Sequence, residues 1–215
     1  MDKKRDKPKQ KRSKSSGAWL ERQRQDPHTQ AAKKAGYRSR AAYKLMGLQE
    51  KDPLCKPGMI VIDLGAAPGG WSQVLKTWVG PAGKVIALDI LPIVPLSGVD
   101  IIEGDFQDEA VYQKLLDYVG LQSVEGVYSD MAPNFSGIAA VDQARAVYLG
   151  ELALAFAERV LKVGGFLVIK QFQGAGFESL LGSLRSRFES VSIRKPSASR
   201  AKSREVYLVA KRLKH

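Results

Sequence analysis

The sequence predicts a doubly wound α/β fold, with a mostly parallel sheet of seven strands, helices on both faces and an antiparallel hairpin at the C-terminus. Two observations predict it. Seven short apolar runs follow one another between residues 59 and 210, and amphipathic stretches or turns separate the first five. Polar residues also stand at or just past the carboxyl ends of those five runs, where sheets of this kind hold their ligands.

Each element has its own signal. From Thr29 the segment TQAAKKAGYRSRAAYKLMGLQEK is rich in Ala, Lys, Arg and Leu and free of proline, so it reads as a helix opening on a capping Thr and interrupted or kinked near Gly36. The strand runs are MIVID (59–63), KVIALD (84–89), VDIIE (99–103), GVYSD (126–130) and GFLVIK (165–170). Such runs suit parallel strands covered on both faces. Between them lie helix-like stretches at 71–79, 108–119 and 143–162 and a loop at 91–98. A helix near 176–187 then precedes two closing strands, SVSIRK (190–195) and EVYLVA (205–210).

With 215 residues and 44% hydrophobic content, the chain suffices for one well-buried domain, which we place at residues 17–215 behind a basic tail of residues 1–16. The tail lacks apolar content and is expected to be disordered without a partner. The single Cys55 cannot close an internal disulfide, and neither a membrane span nor a secretory signal is visible, so a cytoplasmic protein is expected. A metal site is not expected either, because His28 and His215 are far apart and Cys55 is alone.

The formal net charge of +12 is unevenly spread. Residues 1–40 carry 14 Lys/Arg against 4 Asp/Glu and residues 194–215 carry 8 against 1, whereas residues 41–193 carry 12 against 17. Two basic extremities on an acidic body suit a clamp for a polyanion such as nucleic acid, which basic side chains bind by releasing counterions. For residues 1–16 a merely solubilising role is the alternative. Within the basic ends, Arg38 and Arg40 precede Lys44, and Arg200, Lys202 and Arg204 immediately precede Glu205, so these five are the candidate nucleic-acid contacts.

The turn VIDLGAAPGGWSQ narrows the ligand. A dinucleotide fingerprint needs G-x-G-x-x-G, but here Gly65 is followed by Ala66, Ala67 and Pro68 before Gly69 and Gly70. Proline also removes a donor that a phosphate would use. Asp89 lies at the end of the second strand, where an acidic side chain accepts from ribose hydroxyls. A nucleoside without phosphates fits both facts, and S-adenosylmethionine is such a ligand. The turn would approach its amino-acid tail through backbone near Gly69 and Trp71, Asp89 would take the ribose, and Asp105 the adenine amino group. Trp71 reads equally as a core residue packed on the sheet. Asp63, Asp130 and Lys170 complete the row of polar strand ends.

DLGAAPGGWSQ, SDMAPNFSG, VIKQFQGAGF and KPSASRAKSREVYLVA resemble the FtsJ family of ribosomal RNA 2′-O-methyltransferases, bacterial type, from about Trp19 to the C-terminus. The resemblance implies a Rossmann-like class I methyltransferase fold and a catalytic tetrad of Lys44, Asp130, Lys170 and Glu205. It implies cofactor contacts at Gly69, Trp71, Asp89, Asp105 and Asp130. It further implies, as substrate, a uridine in the A-loop of 23S ribosomal RNA on the 50S subunit. A monomer is the default expectation for an enzyme that must dock on a ribosomal subunit. Methyl transfer from a sulfonium to a ribose 2′-hydroxyl is an in-line displacement that needs an oriented oxygen and a route for its proton, but no metal. Lys170 could be a general base or a group that orients the oxygen; Asp130 and Glu205 favour its ammonium form, while Lys44 and desolvation oppose it. Other readings are a sister enzyme for transfer RNA or messenger RNA caps, a non-catalytic ribosome-assembly factor, and an NAD-dependent enzyme, which the Gly-Ala-Ala-Pro turn argues against.

Overall fold

Apolar β-branched runs become the centre of a seven-stranded sheet: β1 (Ile60–Leu64), β2 (Lys84–Asp89), β3 (Val99–Glu103), β4 (Val124–Ser129), β5 (Leu161–Phe172), β6 (Phe188–Arg194) and β7 (Glu205–Leu213). The computed structural model describes residues 26–200 and 203–215; the basic tail and Lys202 lie outside them. The strand order is β3-β2-β1-β4-β5-β7-β6. Strands β1 to β5 pair in parallel, while β7 inserts antiparallel between β5 and β6. The fold is therefore the α/β one read from the sequence. The chain winds outward from β1 to β3 and then returns to β4 on the other side, which opens a crevice at the carboxyl ends of β1 and β4.

Among the described residues six helices surround the sheet: α1 (Pro27–Lys34), α2 (Ala41–Lys51), α3 (Gly70–Val79), α4 (Glu109–Val119), α5 (Ala139–Val160) and α6 (Phe177–Arg187). One face buries Ile62, Leu64, Ile86 and Leu88 under α4, α5 and α6, through Leu115, Phe156 and Leu184. The other buries Val61, Val85 and Ala87 under α2 and α3, through Leu45, Trp71 and Leu75. Successive strand residues thus enter two different cores, which is why these runs are continuously apolar rather than alternating.

The interruption expected near Gly36 divides the segment from Thr29 into two helices, because Gly36 takes φ +78° and the chain leaves helix until Arg40. Other details differ from the sequence reading. The cap is Asp26, whose carboxylate accepts from the amides of His28 and Thr29, so Thr29 lies inside α1. Strand β5 starts four residues earlier than expected, because Leu161 pairs with Val124 before a register shift brings Phe166 opposite Gly126.

Helix α2 carries Lys44, and its far end is anchored to the C-terminal strands. The Asp52 carboxylate, 3% exposed, meets Arg194 Nε and Lys211 Nζ, each at 2.7 Å. Burial pushes this carboxyl up, but hydrogen bonds from the two cations outweigh that and hold it below its ordinary range. Among the described residues no helix is long and apolar enough to cross a membrane.

Candidate active site

The crevice at the switch point is a cavity of about 630 Å³ whose wall includes Gly65, Asp89, Asp105, Asp130, Asn134 and Lys170. Its floor is backbone. Gly65 takes φ +76°, and a Cβ there would stand 2.8 Å from the Met131 amide nitrogen, so the turn after β1 touches the turn after β4 without side chains between them. Asp89 shapes the rim: its Oδ2 accepts from Ala67 N and its Oδ1 from Leu91 N, both at 2.8 Å. A carboxylate has about four acceptor positions, so two remain for hydroxyls. Asp105 Oδ1 accepts from Gln107 N at 2.9 Å. Exposed Ile90 and Leu91 add an apolar side to this wall. Three carboxylates against Lys170 and Arg145 make a wall that suits a neutral or cationic nucleoside and repels a pyrophosphate.

Two ion pairs stand beside the cavity. Lys170 Nζ lies 3.2 Å from Asp130 Oδ1 and also donates to the Asp130 carbonyl oxygen. Lys44 Nζ lies 2.7 Å from Glu205 Oε1, which also accepts from Ser199 Oγ at 3.1 Å. Tyr207 joins them, because its hydroxyl donates to Asp130 Oδ1 at 2.8 Å while Lys44 Nζ lies 5.9 Å from its ring centroid. The tetrad residues, spread over 162 positions of sequence from Lys44 to Glu205, therefore form one cluster. Only Asp130 and Lys170 border the cavity itself; Lys44 and Glu205 lie beyond Tyr207. All four side chains are at most 17% exposed, so their charges act in a partly desolvated setting.

Other expected site residues are placed differently. Trp71 is a core residue: it is 2% exposed, donates Nε1–H to Ala41 O at 2.7 Å and packs against Tyr128 and Tyr207. Its indole therefore braces α3 against α2 and does not reach the cavity wall. Gly69 is also absent from that wall; a Cβ on it would meet Arg38 Nη1 at 3.0 Å. Asp63 lies within β1, wholly buried, accepting from Ser72 Oγ at 2.6 Å, with Oδ1 unpartnered. Burial, with Asp130 and Asp89 adding to it and Ser72 opposing, pushes this carboxyl up to about 7.

The basic residues divide in two. Arg38 directs its guanidinium inward to the carbonyls of Pro68, Val94 and Pro95, which ties the glycine turn to the loop after β2. Arg40 donates to Ala198 O and pairs with Asp26. Part of each planar donor set is thus used within the protein, where it braces loops. Arg200 and Arg204 are exposed beside Glu205. Lys202 lies outside the described residues.

The structure adds residues that the sequence reading passed over. Tyr207 and Ser199 were inside a quoted motif but carried no spacing signal, since only pairing across β5 and β7 brings Tyr207 opposite Lys170. Asp142, also passed over, accepts from Ser136 N and Oγ at 2.7 Å and from Gly137 N at 3.1 Å, and so fastens the loop after β4 to α5. These bonds, led by that from the Ser136 amide, hold its carboxyl below the ordinary range. Among the described residues no group of His, Cys, Asp and Glu could hold a metal ion.

Comparison with known proteins agrees with this geometry. Residues 37–213 match the model of a family described as FtsJ-like methyltransferase. The chain is 54% identical over 204 residues to the ribosomal RNA large subunit methyltransferase E of Stutzerimonas stutzeri (strain A1501), covering 95% of this chain and 99% of that one. Among solved structures it is similar to a chain described as a ribosomal RNA methyltransferase of Plasmodium falciparum, at a TM-score of 0.72 and 29% identity, covering 82% of this chain and 98% of that one. The fold is also that of Aeropyrum pernix fibrillarin in complex with S-adenosyl-L-methionine, at a TM-score of 0.55 and 16% identity over 81% of this chain and 75% of that one.

Proposed function

For a chain that belongs to the FtsJ-like methyltransferase family, we propose S-adenosylmethionine-dependent 2′-O-methylation of a uridine ribose in the A-loop of 23S ribosomal RNA on the 50S subunit. The products are 2′-O-methyluridine and S-adenosylhomocysteine. The enzyme acts in the cytoplasm as a single methyltransferase domain spanning residues 17–215. The observation that carries this reading is the meeting of the Lys170–Asp130 and Lys44–Glu205 pairs across Tyr207, beside an acidic cavity of nucleoside size.

The residues present fit the cofactor. Gly65 lets the turns after β1 and β4 meet as backbone at the cavity floor, Asp89 retains acceptor positions for ribose hydroxyls, Asp105 can accept from the adenine amino group, and Asp130 adds negative charge for a cationic tail. When bound, S-adenosylmethionine supplies an electrophilic methyl group. Every other task falls to the chain.

Lys170 is held as a donor by Asp130, which occupies two of its directions with a carboxylate oxygen and a carbonyl oxygen. The remaining N–H orients the ribose 2′-oxygen and stabilises negative charge developing on it. As the O–C bond forms and the C–S bond of the sulfonium breaks, the hydroxyl, made strongly acidic by the incoming methyl group, passes its proton to solvent water rather than to a neutral lysine. Asp130 thus positions Lys170, and Tyr207 positions Asp130. Glu205 holds Lys44 over the Tyr207 ring, and exposed Arg200 and Arg204 beside them draw the RNA backbone toward the strand ends.

The test is transfer of a labelled methyl group from S-adenosylmethionine to large subunits, small subunits and bulk transfer RNA from cells lacking this protein, with Lys170→Ala alongside. Label confined to large-subunit RNA and lost in the variant is the expected result. Label in transfer RNA would assign the chain to a sister activity. No label with cofactor still bound would favour an assembly factor.

A further inference from the structure

The loop after β4 carries an aromatic side chain that the mechanism leaves unused. Phe135 is 62% exposed, next in sequence to Asn134 of the cavity wall. Its ring meets Phe172 edge to face, with centroids 5.7 Å apart and planes at 81°. Phe172 in turn is tied to the chemistry by register. It lies two residues beyond Lys170 on β5, so both project from the same side of the sheet, and it pairs directly with Glu205 as Lys170 pairs with Tyr207. One pleat, about 7 Å, separates the backbone of Lys170 from that of Phe172.

The exposure of Phe135 is held in place. Asp142 accepts three hydrogen bonds from Ser136 and Gly137, next in sequence to Phe135. Gln143 Nε2 donates to Phe172 O at 2.9 Å and to Ala175 O at 3.1 Å, which fastens the other half of the aromatic pair to the same helix, α5. An aromatic face held open at the edge of the cavity, with cationic Arg145 on the adjoining wall, has the features of a stacking platform for single-stranded nucleic acid.

We propose that Phe135, backed by Phe172, is the shelf on which an unpaired RNA base stacks, within one nucleotide of the ribose presented to Lys170. This rests on the functional reading above and adds to it how the target strand is held open. A stacked base supplies affinity for the unpaired strand that phosphate contacts alone do not.

The experiment measures kcat and KM for methylation of large subunits from cells lacking this protein, using the full chain, Phe135→Ala, Phe135→Tyr and Phe135→Leu. Calorimetric affinity for S-adenosylhomocysteine is measured in parallel. Phe135→Ala should raise KM about tenfold, the scale of one base–aromatic stack, with kcat and S-adenosylhomocysteine affinity unchanged. Phe135→Tyr should restore the wild-type KM and Phe135→Leu should not. An unchanged KM in Phe135→Ala overturns the proposal, as does rescue by Leu, which would mark an apolar contact with a protein. Loss of S-adenosylhomocysteine affinity in Phe135→Ala also overturns it, by moving the residue to the cofactor side. Failure of the wild-type chain to methylate large subunits removes the functional reading itself, and is seen without any variant.

Discussion

The Tyr207 hydroxyl donates to Asp130 Oδ1 at 2.8 Å, and that same oxygen lies 3.2 Å from Lys170 Nζ. Tyr207 is fully buried, so this bond cannot be replaced by water without opening the core. Tyr207→Phe keeps the ring packed on Trp71 and removes only the bond that orients Asp130. Turnover should fall about fivefold, with a stability loss of about 1 kcal/mol in denaturant unfolding and unchanged S-adenosylhomocysteine affinity.

Lys170→Arg separates two roles. An arginine can orient an oxygen and offset its charge, but it cannot serve as a neutral base near pH 7. If Lys170 orients the 2′-oxygen, single-turnover methylation by Lys170→Arg should persist at roughly a hundredth to a tenth of the wild-type rate, while Lys170→Ala is inactive. Equal inactivity of the two variants would point to a base.

Arg38 offers a test of bracing against RNA contact. Its guanidinium bridges three carbonyls across two loops that border the cavity, a task the point charge of lysine performs poorly. Arg38→Lys should weaken S-adenosylhomocysteine binding about tenfold by calorimetry, through the loss of one or two hydrogen bonds, and leave KM for large subunits unchanged. A raised KM with intact S-adenosylhomocysteine affinity would return Arg38 to the RNA surface.

Asp63 gives a pH signature. Its carboxyl is pushed up to about 7 in the folded chain, from 3.8, chiefly by burial. Between those two values the folded state holds a proton that the unfolded state has released, so stability falls as pH rises through that window and levels off above it. Asp63→Asn cannot ionise. Relative to the wild type, its unfolding free energy should therefore improve steadily from pH 4 to pH 7, by on the order of 4 kcal/mol at most. Urea titrations at pH 5 and pH 8 read the difference directly; a pH-independent gap would refute it.

The architecture and the four charged residues that cluster beside the cavity were legible in the sequence for different reasons. The strands could be read because each buried position in a covered parallel sheet must be apolar, and β2 and β3 were located to the residue. The tetrad could be read because its residues lie inside local motifs. Trp71 and Asp63 could not be assigned from local pattern, since a residue at a strand end or first helical turn faces either the cavity or the core, and that choice depends on what α2 and α3 do around it. The two arginines were ambiguous for a related reason: a basic residue just before Lys44 has the same sequence context whether its donors meet phosphates or carbonyls.

What the sequence determined by itself was therefore the order of elements, the absence of a G-x-G-x-x-G fingerprint from the turn at Gly65 and the identity of the charged residues, because each is read over a short span. What only the tertiary structure decided was partnership. Lys170 and Tyr207 meet because β7 pairs antiparallel with β5, Phe135 stands open because Asp142 fastens its loop, and Arg38 turns inward because three carbonyls converge on it. Hydrogen bonds are directional and short, so contacts between groups tens of residues apart exist only once the sheet has set their register.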